Sequence, residues 1–184
     1  MAITMKKDIF LSNKENKQSF IIYMCNKLEA VGCTTKQADA DVTIVTEGVA
    51  SAQKYPTAII GEDTDLFILL IHYVNIQCCD IFIFPEPKKS SRYVTVYDIK
   101  QIRQRLGEEV CSHILFAHAL LGCETTSKPC GFGKTDTIKL LKKNDIFKKN
   151  AAVFKSGGKS KEEIQAAGHA AMVSVHWIHW GNAG

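Results

Sequence analysis

At 184 residues the chain is long enough to bury a core, and 46% apolar against 23% charged residues places it with globular rather than disordered proteins. A formal net charge of +4 tolerates a polyanionic partner without demanding one. No run of ~18 apolar residues could span a membrane, the start MAITMKKDIF lacks the apolar region of a signal peptide, and seven cysteines without a C-x-x-C pair suit free thiols in a reducing compartment. The expected setting is intracellular, nucleus or cytoplasm, with no membrane partner.

In chain order, SNKENKQSFIIYMCNKLEAVG reads as a helix. Ser12 and Glu15 have the spacing of a capping box, Phe20, Met24, Leu28 and Val31 form an apolar stripe, and Gly32 can end the helix. CTTKQA reads as a short edge strand. DADVTIVTEGVASAQKY is a second helix with Val42, Val45 and Val49 on one side. TAII is a short buried strand. LFILLIHYV is apolar all round, so periodicity does not decide its type. DIFIFP is a strand stopped by Pro85, EPKKSSR a charged loop, and YVTVYD another strand. DIKQIRQRLG and EEVCSHILFAHALLG are helices closed by glycine, and KTDTIKLLKKND is a short basic helix. Strands separated by helices predict an α/β fold with a mostly parallel sheet flanked by helices, in one domain over 1–184.

The acidic residues carry the chemistry. Asp63 and Asp65 follow TAII and so fall at the carboxyl end of a strand, where open α/β sheets bind ligands. Asp39 and Asp41 open the second helix. Taken singly, Asp39 reads as a helix cap and the turn GEDTD as a solvated acidic turn. Taken together, two acidic pairs at the ends of neighbouring elements would repel and raise one another's pKa unless a divalent cation neutralised them, and all-oxygen ligation selects Mg²⁺ or Mn²⁺. Further on, Glu124 follows a long apolar helix, and GFGK, Gly131 to Lys134, opens a basic one; two glycines at a helix start let backbone N–H groups face a phosphate.

These segments resemble the core of the flap-endonuclease branch of the PIN-like nucleases. VGCTTKQADADV is similar to that family's strand and acidic helix start, AIIGEDTDLFI to its strand followed by E-D-x-D, and ALLGCETTSKPCGFGKTDTIKLL to its L-L-G-C-D-Y followed by G-I-G-x-K. The stretch D-T-D-L with H-A-x-x-G-C-x-T-T-S also resembles a PIN-like family common in invertebrate genomes. The resemblance covers roughly residues 14 to 142. It implies a Mg²⁺- or Mn²⁺-dependent, structure-selective nuclease, or a degenerate relative, in which Asp39, Asp41, Asp63, Asp65 and Glu124 are metal ligands and Asp63 and Asp65 catalytic. It implies that Gly131, Gly133, Lys134 and Lys139 hold a nucleic-acid backbone, DNA by preference, in a helical C-terminal part resembling a helix-hairpin-helix segment; Lys142 and Lys143 extend that basic surface.

Two departures from the family stand out. Glu124 replaces an aspartate, and no buried strand with a further catalytic aspartate precedes residue 20, so the domain reads as N-terminally incomplete, with an open sheet edge as an association hazard. The alternative reading is therefore a non-catalytic nucleic-acid-binding or protein-interaction domain that keeps the fold. His72, His113 and His118 lie in apolar stretches and read as packed histidines, His118 keeping a small claim through its proximity to Glu124. His169, His176 and His179 lack a carboxylate partner, and residues 166–184 read as aromatic packing or a disordered tail.

Overall fold

The computed structural model describes residues 6–85, 95–120 and 134–181. The chain divides into two compact units, Met1–Ala40 and Asp41–Gly184.

The first unit is helical. Helix α1 (Lys7–Ser12) runs into α2 (Lys14–Glu29). The cap between them is Asn13, whose side chain accepts from the N–H groups of Glu15 and Asn16. The Ser12 hydroxyl instead donates back to the Ile9 carbonyl, so the expected Ser12–Glu15 capping box does not form. Gly32, at a φ of 87°, takes the chain out of the helix. No strand forms over CTTKQA. That segment is largely exposed and has no neighbouring strand among the described residues to complete a ladder. The apolar stripe of α2 is present in register but uncovered: no residue of α1 or α2 is buried, and Val31 is 76% exposed.

The second unit is α/β, dominated by helices. It begins with α3 (Ala40–Ala52), then β1 (Thr57–Ile60), α4 (Thr64–Tyr73), β2 (Ile81–Phe84), β3 (Tyr97–Asp98), α5 (Ile99–Leu106), α6 (Glu108–Leu120), α7 (Lys134–Lys143), α8 (Asp145–Lys155) and α9 (Lys161–Gly181). The strand order is β1-β2-β3. β1 and β2 are parallel, in register from Thr57 opposite Ile81 to Ile60 opposite Phe84, and α4 is their crossover. β2 and β3 are antiparallel. The small sheet is thus mixed rather than mostly parallel. The physical reason is in the connection after Pro85: FPEPKKSSR has no helical periodicity, and a parallel return needs a crossover, usually a helix.

One face of the sheet is packed. Ile59, Ile81 and Ile83 are buried with Val45 and Ala52 of α3, Leu66 and Leu70 of α4, and Ile99 of α5. Helix α3 comes so close that a Cβ on Gly48 would stand 2.5 Å from Cδ1 of Ile59, whose side chain would have to shift to admit it. The other face is open at its edge. Ala58 is exposed and Ile60 is 73% exposed, so TAII is buried on one side only.

LFILLIHYV is helical because its apolar residues serve two partners. Leu66 and Leu70 face the sheet, while Phe67, Ile68 and Ile71 pack with Cys111 and Ile114 of α6. A third cluster joins α6 to α7, α8 and α9 through Val110, Ala117, Leu140, Leu141, Phe147, Ala171 and Val175. The stretch expected as a tail is therefore helical through Gly181, with Ala167, Ala171 and Val175 buried. Truncating a fully buried side chain such as Phe147 costs about 3–5 kcal/mol in such surroundings. Among the described residues no helix is long and apolar enough to cross a membrane.

Candidate metal centre

The turn GEDTD joins β1 to α4 at the carboxyl end of β1, as its sequence predicts. Gly61 finishes the parallel ladder by donating its N–H to the Phe84 carbonyl at 3.0 Å. A Cβ there would lie 2.6 Å from Cδ2 of Leu66, the first core residue of α4, which would have to shift to admit it. Asp63 is the N-cap of α4, with φ −70° and ψ 132°, and its Oδ1 accepts the Asp65 N–H at 2.8 Å. The cap answers one of the unpaired N–H groups that every helix start carries, and it places negative charge where the helix dipole is positive.

Asp65 lies in the first turn of α4 and meets α6. Its Oδ1 is 2.7 Å from Nε2 of His118, with the carboxylate side chain 32% exposed and the imidazole 12%. The packing of α4 on α6 through Phe67, Ile68 and Ile114 sets this contact. His118 is thus the acid's partner rather than a packed core histidine. His72 and His113 are half-buried. His72 binds the Cys111 carbonyl through Nδ1 at 3.0 Å.

A cleft of about 410 Å³ opens beside Asp63, lined by Gly61, Glu62, Asp63, Phe67, Ile83 and Tyr97 among others; Asp65 is not part of its lining. It lies over the carboxyl ends of β1 and β2. Phe67 and Tyr97 meet edge to face across 5.5 Å on its apolar side.

The remaining predicted residues are distributed as follows. Asp41 is half-buried in the first turn of α3. Asp39 is exposed and belongs to the first unit. Glu124, Gly131 and Gly133 lie outside the described residues. Lys134 starts α7, and Lys139, Lys142 and Lys143 are exposed on the same helix. Among the described residues no group of three or more His, Cys, Asp and Glu side chains is arranged to hold a metal ion.

The donor set that is present suits one kind of ion. Asp63 and Asp65 each engage Oδ1, in a cap and in the histidine contact. Each keeps Oδ2 without a hydrogen-bond partner among the described residues. Hard oxygen donors of this kind match Mg²⁺, which is commonly held by one or two carboxylates, waters and substrate phosphates. Each of these two acids has an N–H partner on Oδ1, which offsets part of the repulsion expected between them.

Two polar contacts lie beyond any local sequence pattern. His118 contacts an acid 53 positions away, and no local pattern announces it. Arg103 is 4% exposed although it sits in the polar helix IKQIRQRL. Its guanidinium donates to the carbonyls of Ile71 and His72 at the end of α4 and to Oε2 of Glu108. Comparison of the chain with models of protein families, with curated proteins and with solved structures finds no match.

Proposed function

We propose that the chain is a Mg²⁺- or Mn²⁺-dependent, structure-selective nuclease of the flap-endonuclease, PIN-like type. The observation that carries this reading is the position of Asp63 and Asp65. They lie at the carboxyl end of β1, each with one carboxylate oxygen unpartnered among the described residues, and Asp63 lines a cleft over the strand ends. Asp63 and Asp65 would hold the ion, with Asp41 and Glu124 as further ligands. When bound, such an ion supplies Lewis-acid stabilisation of the phosphodiester and a water of lowered pKa. The chain's own part is orientation. The α4 cap fixes the Asp63 rotamer, and His118 fixes that of Asp65. Gly131, Gly133, Lys134 and Lys139 would hold the DNA backbone, a contact that positions the substrate without reading its sequence.

A second reading has one observation in its favour. Both acids already have protein partners, so the turn has a structural role without metal. A nucleic-acid-binding domain without catalysis would keep the lysines of α7 and need neither Oδ2.

A 5′-flapped DNA duplex, incubated with the full chain in Mg²⁺ and in EDTA, separates the two. The nuclease reading expects metal-dependent cleavage near the junction that is lost in Asp65→Asn. The binding reading expects a salt-sensitive complex, weakened by Lys139→Ala, with intact DNA in both buffers. Neither cleavage nor binding at low salt would sink both.

A further inference from the structure

A second cavity lies away from the acids, between α6, α8 and α9. It has a volume of about 540 Å³, within the range of small-molecule sites. Its walls are apolar: Leu115, Phe116, Ala119 and Leu120 from α6, and Phe154 from α8. The rings of Phe116 and Phe154 stack at a tilt, with centroids 4.6 Å apart. On α9 the wall is Gly168, where a Cβ would already touch the Phe154 ring at 3.4 Å, so any larger residue narrows the opening.

Four polar residues line it, His72, Ser112, His113 and Lys155, of which Lys155 carries the charge; among the described residues no aspartate or glutamate does. Lys155 ends α8, where a cation suits the helix dipole, and it makes no hydrogen bond or ion pair among the described residues. His72 donates from Nδ1 to the Cys111 carbonyl, which leaves its Nε2 unengaged. His113 has no hydrogen-bond partner among the described residues. Burial first, and then the positive charge of Lys155, holds the His113 imidazole below its ordinary pKa. Lys148 and His72 push the same way, while Glu109, the acid that opposes them, is itself paired with Lys148 at 3.1 Å. Lys155 is exposed and Phe154 45% exposed, so the lysine stands at the open rim of apolar walls, the complement of a molecule with an apolar body and an anionic head.

We propose that this cavity binds an amphiphilic carboxylate, its apolar body against Phe116, Leu115 and Phe154 and its head toward Lys155 and His113. The site is independent of the nuclease reading and survives its failure.

Calorimetric titration of the full chain with decanoate, and with decanol as a neutral probe of the same length, tests it. The expected result is one saturable decanoate site per chain, with decanol about tenfold weaker for loss of one ion pair worth ~1.4 kcal/mol. Lys155→Gln should bring decanoate to the level of decanol. Ala119→Phe should fill the cavity and abolish binding of both. Gly168→Leu, which narrows the opening from α9, stands in if Ala119→Phe does not fold by circular dichroism. Absence of saturable binding, equal affinity for the two probes in the wild type, or undiminished binding in the filled variants would overturn the proposal.

Discussion

The two ends of α4 are both held by polar side chains, yet they are built differently. At its C-terminal end a buried guanidinium, that of Arg103, reaches the last carbonyls and an exposed glutamate, Glu108. At its N-terminal end two partly open carboxylates, those of Asp63 and Asp65, meet one N–H and one imidazole, and Asp63 lines a cleft. Both ends obey the helix dipole, with the cation at the negative end and the acids at the positive one. The Arg103 end uses its charge up in holding the helix. The Asp63 end does not, because each acid retains an oxygen without a hydrogen-bond partner among the described residues. Charge beyond what the helix requires, at the carboxyl end of a strand, is where a ligand is expected.

The largest effect should come from breaking the buried end. Arg103→Met strands the carbonyls of Ile71 and His72 and should cost about 3 kcal/mol in denaturant unfolding. Glu108→Gln at the exposed partner should cost under about 1 kcal/mol. Equal costs would mean that the ion pair, and not the carbonyl contacts, holds this end. Next comes the open end: His118→Ala should cost about 1.5 kcal/mol, the worth of a hydrogen bond to a charged group, with Asp65→Asn in the same background adding little. If the two losses simply add, the contact between them contributes nothing.

Smaller still is the cap. Asp63→Ala should cost about 1 kcal/mol, and Asp63→Asn only a few tenths, because asparagine caps nearly as well as aspartate. The expected rank order is therefore Arg103, His118, Asp63. The smallest effect lies at a third helix start. The Ser160 N–H and then the Lys159 ammonium hold the Glu163 carboxyl below its ordinary value. A depressed glutamate contributes stability that is fully present above the ordinary value of about 4.3 and is lost as pH falls through the lowered one. Helicity of the wild type should thus decline slightly below pH 4, and Glu163→Gln should flatten that part of the circular dichroism titration.

That helix start also shows what the sequence could and could not reveal. The pattern S-x-x-E occurs at Ser12–Glu15 and at Ser160–Glu163. Only the second is a capping box, with Ser160 N–H to Glu163 Oε2 at 2.9 Å and Glu163 N–H to Ser160 Oγ at 3.2 Å. At the first, Asn13 is one residue closer to the helix and takes the cap. Local spacing names candidates, and competition between neighbours decides among them. The placement of Asp63 was legible because strand, turn glycine and helix cap are all local signals. The mixed pairing of the sheet, the Asp65–His118 contact and the burial of Arg103 were not, since each depends on which element packs against which. The helicity of 166–181 was hidden for a related reason: its buried face is made of Ala167, Ala171 and Val175, residues too small or too few to mark an apolar stripe.

The claim that the acids of GEDTD exceed what the fold requires is tested most directly by melting temperature against Mg²⁺ and Mn²⁺ concentration, in the wild type and in Asp63→Asn. That substitution keeps the cap and removes one carboxylate, so it separates structure from charge. The account predicts a rise with metal in the wild type, equivalent to about 2.7 kcal/mol at a hundredfold excess over Kd. It predicts a blunted rise in Asp63→Asn, whose metal-free melting temperature stays within a degree or two of the wild type. A wild type that does not respond to either ion, or an Asp63→Asn variant that responds in full, would contradict it and leave GEDTD as a capped acidic turn.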